Sequence, residues 1–149
     1  MALTVVAPLL VIGCTSGAAP RPDAVTGENR AIMLEFTGLA YGQKSVRIAY
    51  EKFVAADLMQ HSPAFPDGRE GTIEALQKFY DANPQARFVV KRVIVDGDLA
   101  AVHYAGQLVP GSSGAAVVEI FRLENGKIVE HWDVFQGIPA MTRSGRPVI

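Results

Sequence analysis

The chain has 149 residues, of which 49% are apolar and 19% charged, with a formal net charge of −1. That is one domain's worth of sequence, apolar enough to bury a core without disulfide or metal staples. The balance of charge leaves no basic footprint for nucleic acid and no cationic helix for a membrane surface, so neither partner is expected.

The first thirteen residues, Met1 to Gly13, carry no charged side chain. The run is too short to span a bilayer but has the length of a signal-peptide apolar region. It ends in Val11-Ile12-Gly13-Cys14, which resembles the lipobox of bacterial lipoproteins; in that family the chain is cut before the cysteine, which is then lipidated. Cys14 is the only cysteine, so no internal disulfide is available. On this reading residues 1–14 are a signal, 15–28 a flexible tether, and the protein sits in the cell envelope, touching the membrane only through a lipid on Cys14. No Lys or Arg precedes the apolar run, which leaves open a cytoplasmic protein with an apolar N-terminal extension.

From Glu28 to Tyr41 the spacing of Ile32, Met33, Phe36, Leu39 and Ala40 predicts an amphipathic helix, closed by Gly42. A short second helix over 45–53 carries Val46, Ala49, Tyr50 and Phe53 on one side, and Val54 to His61 leads into a loop marked by Pro63, Pro66 and Gly68. Asp67 with Glu70 three positions on has capping-box spacing and predicts a third helix, with Ile73, Leu76 and Tyr80 on its stripe, ending near Asn83-Pro84. The period then changes to that of strands: 87–95, a turn at Asp96-Gly97-Asp98, 99–109, a loop, 115–123, a turn at Glu124-Asn125-Gly126, and 127–136. Three helices followed by a meander predict an α+β domain over 29–140, helices on one side of the sheet, with a short tail over 141–149.

Two blocks carry a resemblance to a known family. Met59-Gln60-His61-Ser62-Pro63 followed by Asp67-Gly68-Arg69-Glu70-Gly71, and the hairpin from Val117 to Val134, resemble elements of SnoaL-like proteins in the nuclear transport factor 2-like superfamily. Lys91 to Leu99 with Val102-His103-Tyr104 resembles that family's first long hairpin. The resemblance implies a curved antiparallel sheet wrapped around three N-terminal helices, enclosing a cone-shaped cavity. Its namesakes are polyketide cyclases that close a ring by aldol condensation without metal or organic cofactor, so no cofactor is expected. Homodimerisation through the outer sheet face is common in the superfamily and is expected as well.

The last hairpin admits two registers. A two-residue Asn125-Gly126 turn sets Glu119 against Trp132; a three-residue loop sets Glu119 against His131, with Asp133 as diagonal neighbour. The second sorts the side chains better: Val117, Glu119, Phe121, Val129, His131 and Asp133 share a face, an apolar lining with two carboxylates and an imidazole. A carboxylate buried there should have a raised pKa, as proton transfer near neutrality requires. Asp133 is the expected acid/base group and resembles the family's aspartate by position. Glu119 stands where the family usually has Asp, and is read equally as a catalytic group or as a structural partner of His131.

His61, in the loop before the third helix, and His103, between Ala101 and Ala105 on one strand face, are candidates for the same site, the alanines leaving room for a ligand. Three histidines and two carboxylates could also take zinc or iron, but the ligand spacing does not support it and no metal is expected. Trp132 and Tyr104 are read as core or interface residues. The expected ligand is a small apolar or carbonyl-containing molecule, turned over by a cofactor-independent cyclase, isomerase or dehydratase. The alternative is a non-catalytic envelope lipoprotein using the same cavity for binding or interaction.

Overall fold

The computed structural model describes residues 22–149, so Cys14 and the expected signal segment lie outside the described residues. In chain order the elements are α1 (Pro22–Thr37), a π-helical turn (Gly38–Gly42), α2 (Val46–Phe53), β1 (Val54–Gln60), α3 (Arg69–Ala82), β2 (Arg87–Asp96), β3 (Leu99–Gln107), β4 (Ala115–Glu124) and β5 (Lys127–Gly137). Helix α1 opens at Pro22, whose missing N–H is no loss in a first turn. Residues 22–28, expected as tether, are therefore helical. They are pinned to the β2–β3 turn: Gly97 N donates to Thr26 Oγ1 (3.0 Å) and Asn29 Nδ2 donates to Gly97 O (2.9 Å).

The strands form one curved, unclosed sheet in the order β1-β5-β4-β3-β2, with the three helices packed on it. Strands β2 to β5 are the expected antiparallel meander. Strand β1, expected only as a lead into a loop, pairs parallel with β5, so the sheet has five strands and is mixed rather than wholly antiparallel. The capping box before α3 does not form. Gly68 holds the N-cap position at φ 85°, and Asp67 Oδ1 accepts the Gln60 amide (2.9 Å) instead, fastening the loop to β1.

Inward positions alternate along the strands as a half-buried sheet requires. Ala100, Val102 and Tyr104 of β3 and Val117, Glu119, Phe121 and Leu123 of β4 are buried, beneath Met33 and Phe36 of α1 and Tyr50 of α2. Phe36 is the hub, its ring centroid 5.3 Å from Tyr50 and 5.6 Å from Phe121. Its full burial contributes about 1.5–3 kcal/mol.

Neither expected register of the last hairpin is the one adopted. Asn125 (φ 50°) and Gly126 (φ 75°) make a two-residue turn with both central residues left-handed, so Glu124 pairs with Lys127. The pairing then shifts, from Leu123↔Ile128 to Arg122↔Glu130, leaving Val129 as a bulge. Beyond it Phe121 opposes His131 and Glu119 opposes Asp133. The bulge keeps His131 and Asp133 on the inner face, as the three-residue loop would have done, but moves the partner of Glu119 by two residues.

Candidate functional site

A cavity of about 630 Å³ opens between α3, the π-helical turn and the inner face of β3–β5. Its walls are mostly apolar, with the rings of Tyr41, Phe79, Tyr80, Phe88 and Tyr104 prominent among them. Glu119 and Asp133 are the ionisable carboxyl groups that line it. Val117, expected as lining, lines it too.

Glu119 is only 6% exposed, and both its oxygens are engaged. Tyr41 Oη donates to Oε2, and Tyr104 Oη donates to Oε1 at 2.7 Å. Burial pushes the Glu119 carboxyl up to about 7; the two tyrosine hydrogen bonds oppose that rise and the nearby Asp133 charge adds to it. Burial, and then the charge of Glu119, push the hydroxyls of Tyr41 and Tyr104 well above their usual range, so both remain protonated donors. The π-helical turn is what brings Tyr41 here: one extra residue in the turn rotates its side chain inward beside Ala40.

Asp133 is fixed from a different direction. Ser62, buried in the loop after β1, donates from Oγ to Asp133 Oδ2 (2.6 Å), and its own amide donates to Gln60 Oε1 (3.1 Å). Gln60 Oε1 also meets His131 Nδ1 at 2.7 Å. An oxygen that accepts from the Ser62 amide accepts from His131 as well, which assigns the proton to Nδ1 and leaves Nε2 bare. Burial pushes His131 down to about 4, so it is neutral near pH 7. Its ring stacks on Phe121 (4.8 Å between centroids), and Nε2 has no hydrogen-bond partner among the described residues. Both His131 and Phe121 are buried beneath the cavity and do not form its wall.

Several expected site residues lie elsewhere. His61 is on the outer side of the sheet, stacked flat on Trp132 (4.8 Å) with Nε2 2.9 Å from Glu130 Oε1. His103 also faces outward, its Nδ1 2.9 Å from Arg92 Nη1, because β3 turns Val102 and Tyr104 inward. Ala101 and Ala105 share that outer face with it. Val129 is the bulge residue, and Ile128 takes the buried place that the regular alternation assigned to it. His61 N donates to His131 O (2.9 Å), but the three imidazoles do not meet in one site, and among the described residues no group of three or more His, Cys, Asp or Glu side chains gathers as metal ligands would.

Sequence reasoning missed Tyr41 and Ser62 and placed Tyr104 in the core or an interface. Tyr104 had one available signal, being adjacent to a strand residue already singled out. Tyr41 had none, since nothing in Gly38-Leu-Ala-Tyr-Gly42 marks a π turn. No described helix is long and apolar enough to cross a membrane.

A curved, unclosed sheet with a helical layer and a mostly apolar pocket between them defines the cone-shaped α+β class. The SnoaL-like domain family matches residues 40–131, more than half of the sequence, and the chain belongs to that family. Among solved structures it is similar to an NTF2-like protein of unknown function from Mesorhizobium loti (21% identity, 78% of this chain and 98% of that one, TM-score 0.66). It is similar also to a protein provisionally named ketosteroid isomerase from Kribbella flavida (20%, 74% and 79%, TM-score 0.63). A third, provisionally named polyketide cyclase, is from Acidithiobacillus ferrooxidans (18%, 73% and 88%, TM-score 0.60). At these identities the likeness is one of fold. No curated protein matches the sequence.

Proposed function

We propose that this protein is a cofactor-independent acid/base enzyme of the cyclase, isomerase or dehydratase type, acting on a small carbonyl compound held in the cavity. The observation that carries this reading is the facing pair of Glu119 and Asp133 in an apolar pocket. Two carboxyls whose surroundings differ can divide the roles of acid and base. Asp133, oriented by Ser62, removes a proton from the carbon next to the substrate carbonyl, and the C–H electron pair passes into the enolate. Glu119 in its protonated form, with Tyr41 and Tyr104 around it, donates to the oxygen where that charge develops. The proton held on Asp133 is then returned at another carbon, or to the alkoxide formed on ring closure, or leaves with a departing hydroxyl as water. The relatives named polyketide cyclase and ketosteroid isomerase support the same class.

The test is deuterium exchange at the α-carbons of ketones in heavy water, followed by NMR with β-tetralone first in a panel of bicyclic ketones. The wild-type chain should accelerate exchange and Asp133→Asn, with an unchanged circular dichroism spectrum, should lose about 10²-fold or more of it. No acceleration across the panel, or equal rates in variant and wild type, would overturn the reading.

The segment Val11 to Cys14 favours a second reading, an envelope lipoprotein that binds a ligand in this cavity without turnover. Growth with an alkyne-tagged fatty acid tests it: label that disappears on Cys14→Ser supports the anchor, and an unlabelled chain keeping its full N-terminus removes it. Homodimerisation belongs to both readings. It is supported by Val89, Ile94 and Val134 on the outer sheet face, all more than half exposed, and sedimentation at monomer mass would refute it.

A further inference from the structure

The cavity wall is one-sided in charge. Among the described residues Glu119 and Asp133 line it, and no Lys, Arg or His does. The hydroxyl donors nearest these carboxyls are already committed, Tyr41 and Tyr104 to Glu119 and Ser62 to Asp133. A ligand therefore meets acceptors with lone pairs to spare rather than free donors, since a carboxylate takes up to about four hydrogen bonds. The remaining wall is aromatic, and ring faces attract cations, most strongly where water is excluded. The chain already seats one ammonium in this manner: Lys44 Nζ lies 5.5 Å from the centroid of the Tyr80 ring, bonded to Pro84 O and outside the cavity lining.

We propose that the cavity selects a ligand whose polar end is a protonated amine on a ring-bearing apolar body, with the ammonium seated between Glu119 and Asp133 and the rings against the aromatic walls. This rests on the reading of the cavity as the ligand site and narrows its chemistry. The carboxylates face each other across one strand pair, so an ammonium between them relieves a like-charge repulsion. A carboxylate or phosphate ligand would bring a further negative charge against these two carboxyls, with no cation among the described lining residues to meet it. A neutral ketone falls between these two. An amine seated there occupies both members of the proposed acid/base pair, so it blocks turnover of a ketone competitively.

The experiment is calorimetric titration of the full chain at neutral pH with three probes on one bicyclic body: β-aminotetralin, β-tetralone and tetralin-β-carboxylate. The amine should bind at least about tenfold more tightly than the ketone, and the carboxylate at least about tenfold more weakly than the ketone. In Asp133→Asn and, separately, Glu119→Gln the preference for amine over ketone should fall by about fivefold or more. Two variants are used so that misfolding of one does not decide the matter. A ketone that binds as tightly as the amine, or a preference unchanged in both variants, overturns this inference and leaves the carbonyl reading standing. Binding of none of the three probes overturns both, because the cavity is then not the ligand site.

Discussion

Glu119 on β4 and Asp133 on β5 oppose each other across the sheet, yet each is held by a different part of the fold. Glu119 is gripped by Tyr41 from the π-helical turn and Tyr104 from β3, whereas Asp133 is gripped by Ser62 from the loop after β1. Sharing a cavity but not partners is what allows two like groups to differ in protonation at one pH.

That separation of partners sorts the expected kinetics of variants. Asp133→Asn removes the proposed base and should lower α-proton exchange by about 10²-fold or more, while Ser62→Ala only frees it to rotate and should cost about tenfold. His61→Ala and His103→Ala, both on the outer face, should stay within about twofold of wild type. A loss at either histidine as large as that at Asp133 would mean that the outer face takes part in the reaction.

Stability against pH should carry two opposing slopes. Glu119 holds its proton more tightly folded (about 7) than at its ordinary value of 4.5, so its contribution of roughly 3 kcal/mol is present below about pH 4.5 and lost as pH rises through about 7. His131, lowered from 6.5 to about 4, contributes a similar amount, roughly 3 kcal/mol, above about pH 6.5 and loses it as pH falls through about 4. Between these limits the two nearly cancel in the wild type. Urea unfolding should show Glu119→Gln gaining stability relative to wild type as pH rises from about 4.5 to 7, and His131→Gln doing so as pH falls from about 6.5 to 4. The groups facing Glu119 are Tyr41, Tyr50, Tyr80, Tyr104 and Asp133. Parallel curves for a variant and wild type would show that the buried group in question does not titrate as described.

What the sequence made legible follows from where its alternation is strong. Val117, Glu119 and Phe121 alternate with Val118, Ile120 and Arg122, and the charged pair Arg122 and Glu130 marks which side faces water. Strand β3 offers no such contrast: Ala100 and Ala101, like Ala105 and Gly106, are small on both faces, so the room beside Ala101 and Ala105 that placed His103 inside exists on either side. The π-helical turn and the Val129 bulge each add one residue, and neither has a compositional mark. Strand β1, with Ala55, Ala56 and Asp57 in its middle, lacks a period of any kind and is ordered by pairing with β5, a contact distant in sequence.

Glu119 should respond to its tyrosines in a predictable direction. Both hydroxyls favour the ionised carboxylate, so Tyr104→Phe should raise the midpoint above about 7 and shift the alkaline limb of the exchange profile to higher pH. Stability should fall by about 1–2 kcal/mol for the lost buried hydrogen bond. Carbon NMR of the Glu119 carboxyl reads the midpoint directly; a midpoint that stayed put or moved down would show that Tyr104 does not donate to it.

The bulge is open to a test of its own. Val129 is unpaired between Ile128, which meets Leu123, and Glu130, which meets Arg122, so deleting Val129 leaves both flanking pairs intact and restores regular alternation. The deletion should cost about 1–2 kcal/mol in local twist and contacts with β1 and still present Asp133 opposite Glu119, retaining most exchange activity. Deleting Trp132 has the opposite consequence, because a one-residue slip beyond the bulge sends Asp133 to the outer face, and activity should vanish. If the Val129 deletion behaved like the Trp132 deletion, Val129 would hold a regular place in β5 and the register that brings the two carboxyls together would be wrong.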